Sequence, residues 1–195
     1  IMESAYTVPE SFRMMEFASY KTKVEEDAEE FGAKARDFGS KVHEAIDCFH
    51  LNRGHVASDE IEPYLDQYRT WFDSNIISVI SSEETVVNQE TGYAGRMDLV
   101  ADHRVHGLCV IDFKTQRAKG NVKFYDTWLY QLAAYRECIP TRPNCLNVAM
   151  NSMAPEAPVE KLWDAQRVKT GWDVFKRVCE IWQLQRGYFP EESVT

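Results

Sequence analysis

No apolar run in these 195 residues approaches the roughly 18 to 20 that a membrane span requires, and the opening IMESAYTVPE has neither a charged n-region nor an apolar h-region. The chain therefore reads as soluble and unsecreted, with no membrane partner: cytoplasmic, or working in the host cell if it comes from a virus or phage. Cysteine is sparse and odd in number. Cys48, Cys109, Cys138, Cys145 and Cys179 include no C-x-x-C pair, which argues against a disulfide framework, a zinc ribbon or an iron-sulfur cluster. Internal repeats, low-complexity tracts and linkers are missing as well, so one domain over residues 1–195 is expected. At 44% hydrophobic and 12% aromatic, the chain has ordinary material for a sizeable core.

The net charge of −9 weighs against nucleic acid as a partner until its distribution is considered. Residues 1–100 carry 9 basic and 20 acidic side chains, whereas residues 101–195 carry 13 and 11. From Lys114 to Arg142 six basic residues face two acidic ones, a local balance of +4. A phosphate backbone responds to the field near the site more than to the total, so Arg117, Lys119 and Lys123 are candidate nucleic-acid contacts.

The stretch GRMDLVADHRVHGLCVIDFK, residues 95–114, is the chemical centre of the sequence. Met97, Leu99 and Val100 surround one acid, Asp98; a turn follows at 102–107; and Leu108, Cys109, Val110 and Ile111 have the β-branched content of an interior strand. Asp112 and Lys114, two apart on a strand, project from the same face, and Asp98 can face them from the neighbouring strand. Converging carboxylates repel unless a cation sits between them, and an oxygen-rich site suits Mg²⁺ or Mn²⁺. An isolated D-x-K is more often an exposed strand end, with Asp98 capping a turn, so these three residues alone do not decide the chemistry.

Along the rest of the chain, SFRMMEFASYK offers a weak helix that Pro9 begins, and the acids at 25–30 read as a solvated helical face. Residues 31–51 form an amphipathic helix with Phe38, Val42, Ala45, Ile46 and Phe49 as its apolar stripe. His43 lies beside that stripe, and Gly39 in GSKVH permits the close approach that would bring the imidazole to the sheet. His50 and His55 receive no role. A second helix is expected over 59–80, then a strand around Thr85, Val86 and Val87 and a turn at Thr91 and Gly92. Glu84 either supports the site from this strand or ends it at the surface, with Glu83 and Glu90 as neighbours. TQRAKGNVKFYD is a basic loop, and TWLYQLAAYREC a helix on which Gln131 and Tyr135 share a face. A strand over 145–153 and a helix over 171–187 follow, the latter packing Trp172, Phe175, Val178, Cys179 and Trp182 inward and ending at Gly187.

Taken in order, GSKVH, Glu84, GRMD, VIDFKT and YQLAAY resemble the PD-(D/E)XK nuclease superfamily, and within it the RecB-like exonuclease branch and the mitochondrial genome maintenance exonucleases. The resemblance covers residues 39–136. It implies an α/β, restriction-endonuclease-like core, with a central mixed β-sheet flanked by α-helices. By position it also implies that His43, Asp98 and Asp112, with Glu84 less securely, hold Mg²⁺ or Mn²⁺. Lys114 would then orient the attacking water, and Gln131 and Tyr135 would position Lys114 or the phosphate. The acid of the D-x-K is Asp rather than the commoner Glu, and the cysteine set of cluster-bearing relatives has no counterpart here.

The function this implies is metal-dependent hydrolysis of DNA from an end. The alternatives are an RNA endonuclease of the cap-snatching type and an inactive nucleic-acid-binding module on the same fold. Strand preference, polarity, an oligomer and a recombination partner stay open.

Overall fold

The computed structural model describes residues 17–50, 58–188 and 190. Pro9, most of the weak N-terminal helix and His55 lie outside them. Contacts divide the chain into two units, Ile1–Ser40 and Lys41–Thr195.

In the first unit the described residues belong to helix α1, Phe17–His50, which begins well before the expected helix. The acids at 25–30 are exposed there, and Lys23–Asp27 and Glu30–Lys34 pair one turn apart at 2.7 Å. Such pairs add a few tenths of a kcal/mol each to an exposed helix.

The second unit contains the sheet. After the last turns of α1 come helix α2 (Glu62–Asn75), strands β1 (Ile76–Asn88), β2 (Tyr93–His103) and β3 (Gly107–Gln116), helix α3 (Asp126–Glu137), strands β4 (Asn144–Asn151) and β5 (Val159–Leu162), and helix α4 (Ala165–Arg186). The strands lie in sequence order, and only the β3–β4 pair is parallel. That pair needs a crossover, which α3 provides. The expected α/β core, a mixed sheet flanked by helices, is present.

The helix expected over 59–80 stops at Asn75. Ile76, Ile77, Val79 and Ile80 open β1 instead, because β-branched side chains lose rotamer freedom in a helix and pack readily on a pleated surface. The β1–β2 turn falls where expected, with Gly92 at φ +73° and its N–H donating to Asn88 O. Helix α4 starts six residues before the expected Gly171, capped by Asp164, whose side chain accepts from the Arg167 N–H. Its C-cap is Gly187 at φ +62°.

Alternation along β3 divides the core. Val110 joins Leu129, Leu132, Cys145, Trp163 and Val168 on the face covered by α3 and α4. On the opposite face the Phe113 ring meets Tyr68 and Trp71 of α2 at 5.2 and 6.1 Å. Trp172 and Phe175 pack on Tyr93 as expected of core aromatics, but Val178 and Trp182 are exposed, because they lie off the face of α4 on which Val168, Trp172, Phe175, Cys179 and Gln183 turn inward.

Candidate active site

Strands β2 and β3 pair from His103↔Gly107 as far as Leu99↔Ile111 and then part. Where they separate, the Phe113 N–H donates to Asp98 Oδ2 at 2.7 Å, so a carboxylate replaces the next ladder carbonyl. Asp98 is thereby fixed at the mouth of the split, one pleat from Asp112 on β3.

Asp112 is 1% exposed. Its Oδ1 accepts from Lys114 Nζ at 2.6 Å and its Oδ2 from Asn147 Nδ2 at 2.6 Å. Asn147 sits opposite Asp112 in the parallel β3–β4 register and is itself held by Trp163 Nε1, at 2.8 Å. From the helix side, Lys114 Nζ donates to Gln131 Oε1 at 3.0 Å, and Gln131 Nε2 to the Tyr135 hydroxyl at 2.8 Å. One chain of hydrogen bonds thus runs Trp163, Asn147, Asp112, Lys114, Gln131, Tyr135. An ammonium has three donors; two are used here, leaving one for a water or a phosphoryl oxygen.

A second group gathers around Asp98. Ligand atoms of His43, Glu83 and Asp98 lie within 4.8 Å of one another, with His43 Nδ1 at 3.8 Å from Asp98 Oδ2. Glu84, the acid singled out from the sequence, is exposed, as is Glu90; Glu83 is the neighbour that reaches this group. It does so from a left-handed backbone, φ +52°, sparsely populated for a non-glycine residue. Arg96 holds it, with Nε 2.7 Å from Glu83 Oε2 and 3.1 Å from its carbonyl oxygen.

Asp47 is a site acid the sequence reading passed over. It lies four residues after His43 on α1, and its Oδ1 is buried with no hydrogen-bond partner among the described residues. The spacing H-x-x-x-D on one helix face was the available signal.

Burial dominates the electrostatics. It pushes the Asp98 carboxyl up to about 6 against the pull of the Phe113 N–H and Lys114, and Asp112 up to about 7 against Lys114. Burial also raises Glu83, which Arg96 and His43 oppose while Asp47 adds to the rise. His43 is lowered, mainly by burial, which keeps its imidazole neutral and its lone pair free. Crowded, partly desolvated carboxylates, one of them with an unpartnered oxygen, and a neutral imidazole make a donor set that fits a divalent cation, oxygen-rich with one nitrogen. Asp112 lies outside the 4.8 Å group; each of its oxygens accepts one hydrogen bond, from Lys114 and from Asn147, and keeps a further lone pair.

The fold is shared with a solved structure. A crystal structure from Eubacterium rectale named "Putative exonuclease" superposes with a TM-score of 0.55 over 78% of this chain and 69% of its own, at 8% identity. At that identity the likeness is one of fold. No family model and no curated protein matches the chain.

The basic residues expected to meet nucleic acid follow directly on β3. Arg117, Lys119 and Lys123 are exposed on the loop 117–125. Elsewhere in this unit, His103, His106 and Glu160 form a second group of potential ligands. Two backbone N–H groups, of Val105 and His106, donate to His103 Nδ1 at 3.2 Å, which places the ring proton on Nε2, facing Glu160 Oε1 at 3.2 Å. The nitrogen a metal would need is occupied by that proton. Trp71 Nε1 donates to the same carboxylate oxygen at 2.6 Å, so Glu160 ties α2 to the β2–β3 turn. No helix among the described residues is long and apolar enough to cross a membrane.

Proposed function

We propose that this protein is a divalent-metal-dependent nuclease that hydrolyses phosphodiester bonds in nucleic acid, with DNA attacked from an end as the specific reading. The observation that carries it is the placement of Lys114 Nζ between Asp112 Oδ1 (2.6 Å) and Gln131 Oε1 (3.0 Å), beside the His43, Glu83 and Asp98 group. The fold shared with the Eubacterium rectale protein supports the same reading.

In this reading His43, Asp98 and Glu83 hold Mg²⁺ or Mn²⁺, Asp112 joins them, and Asp47 completes the acidic field. The ion would supply charge neutralisation on the phosphoryl oxygens and a more acidic water. The residues contribute position and charge. Asp112 and Gln131 fix the ammonium of Lys114, whose remaining N–H orients the attacking water towards phosphorus. Tyr135 fixes the Gln131 amide, and the cations at 117, 119 and 123 draw the backbone in. All of these side chains belong to the unit Lys41–Thr195.

The test is digestion of end-labelled linear DNA, circular DNA and single-stranded RNA with Mg²⁺ or Mn²⁺ and with chelator. The expected result is metal-dependent loss of linear DNA with the circle spared, and a fall in kcat of roughly a hundredfold or more for Lys114→Ala. Undiminished cleavage by Lys114→Ala would sink the assignment of this site. Cleavage of the RNA and the circle would point to the endonuclease alternative instead.

A further inference from the structure

Beside the Lys114 group a cavity of about 570 Å³ opens between the loop after β3 and the end of β4, within the range of small-ligand sites. Its position is fixed by register. Parallel pairing sets Asn147 opposite Asp112, Ala149 opposite Lys114 and Asn151 opposite Gln116. The Asn147–Asp112 hydrogen bond shows that paired side chains share a face, so Ala149, a wall of the cavity, stands next to Lys114 on the same sheet surface. Neighbouring strands are about 4.8 Å apart, so the Ala149 wall lies roughly one strand spacing from the Lys114 backbone.

The loop that forms the other wall is held by two amide clamps. Gln116 Oε1 accepts from the Lys123 N–H at 2.6 Å while its Nε2 donates to Lys123 O at 3.1 Å. Asn151 does the same to Ala118, accepting from its N–H at 3.1 Å and donating to its carbonyl at 3.0 Å. Each amide thus satisfies both backbone groups of one loop residue. A loop fastened at both ends to the strands that carry Asp112 and Asn147 is a preformed surface rather than a connection.

The lining suits a flat, apolar body with a polar edge. Val122, Ala149 and Met153 provide apolar walls, Lys119 and Asn121 lie along the loop side, and Glu156 on the opposite rim is an acceptor for an exocyclic amine. We propose that this cavity receives one unpaired nucleobase next to the phosphate that reaches Lys114. This rests on the nuclease reading and adds a substrate class to it: the nucleotide beside the scissile bond is unpaired, since a base stacked and paired in a duplex cannot enter. Lys119 lines the cavity and Lys123 follows on the same loop, both exposed cations for the neighbouring phosphates. Glu156 favours a base with an amino group, which predicts a preference at that one position.

The experiment is an abasic scan. Single-stranded oligonucleotides, each lacking the base at one successive position, are digested with Mn²⁺ by the wild type and by Ala157→Trp, which fills the cavity from its exposed rim. The expected result for the wild type is a fall in kcat/KM of roughly tenfold at a single position beside the cleaved bond, the size of one lost base contact, with little change elsewhere. Ala157→Trp should cut the intact oligonucleotide no faster than the wild type cuts that abasic one, and should cut the abasic one at the wild-type rate, which also reports a folded site. A uniform response in the wild type, or a single-position fall that survives in Ala157→Trp, overturns the cavity assignment while leaving the nuclease reading standing. Absence of Mn²⁺-dependent cleavage of every oligonucleotide overturns the cavity assignment, and overturns the nuclease reading as well if linear duplex DNA in the same assay is also left intact.

Discussion

Asp47 and Lys114 sit in the same site in opposite states of satisfaction. Lys114 is held on two sides, whereas Asp47 has a buried oxygen with no partner among the described residues. A buried acceptor left unsatisfied costs about 1–3 kcal/mol, so its retention at one helical turn from His43 calls for a function. If that function is to complete the field around the ion, Asp47→Asn should separate two quantities that usually move together. The metal-free protein should keep its melting temperature or gain a few degrees, because the negative charge that Asp47 sets against Glu83 is gone. Mn²⁺ affinity measured by calorimetry should fall by about tenfold, the loss expected for a supporting group around a metal. A melting temperature that drops with unchanged Mn²⁺ affinity would make Asp47 a structural residue.

Among the elements, β3, α3 and β4 were the most legible from sequence, because a β-branched interior strand, a helix with Gln131 and Tyr135 four apart and a second apolar strand each have a clear period. They also carry the Lys114–Asp112 and Lys114–Gln131 contacts, so that half of the site follows from local pattern. What could not be read depends on tertiary registration. Asn147 reaches Asp112 only through the parallel register, and Glu83 rather than Glu84 turns inward because of a left-handed backbone at that residue, for which the sequence has no marker. Strand β5 has four residues, too few for a period, and the run at 76–80 continues a helical apolar pattern so smoothly that only its β-branching betrays it. Gly95 shows how one small residue joins two elements: a Cβ there would stand 2.6 Å from Tyr135 Cε1. Gly95→Ala on β2 must therefore push the Tyr135 ring of α3 away and weaken its bond with Gln131. The expected cost is about 1–3 kcal/mol, with a melting temperature lower by several degrees and a reduced kcat. The double variant Gly95→Ala, Tyr135→Leu should recover most of the stability and none of the activity; stability that stays low would place the strain elsewhere.

For the whole molecule, the consequence of burying Asp98 and Asp112 together is a dependence of stability on pH that a metal should remove. Both carboxyls have folded values above the ordinary 3.8, at about 6 and about 7, with burial as the leading cause. A group whose folded value is raised favours the folded state fully below its unfolded value and loses that contribution as pH rises through the folded value. In chelator, the contribution of this pair is therefore present near pH 4 and is lost progressively by about pH 7. The loss is on the order of a few kcal/mol, reduced because the two groups titrate against each other. Other groups add their own slopes, so the measurement is a difference: melting temperature against pH for the wild type minus that of Asp112→Asn, which carries no titrating carboxyl at that position. That difference should fall between pH 5 and 7.5 in chelator. With Mn²⁺ the sign changes for the wild type, since a cation binds the ionised carboxylates and competes with protons. The stabilisation by Mn²⁺ should accordingly be larger at pH 7.5 than at pH 5, and nearly absent in Asp112→Asn at both. A wild-type response to Mn²⁺ that is flat with pH would mean that these aspartates do not hold the ion.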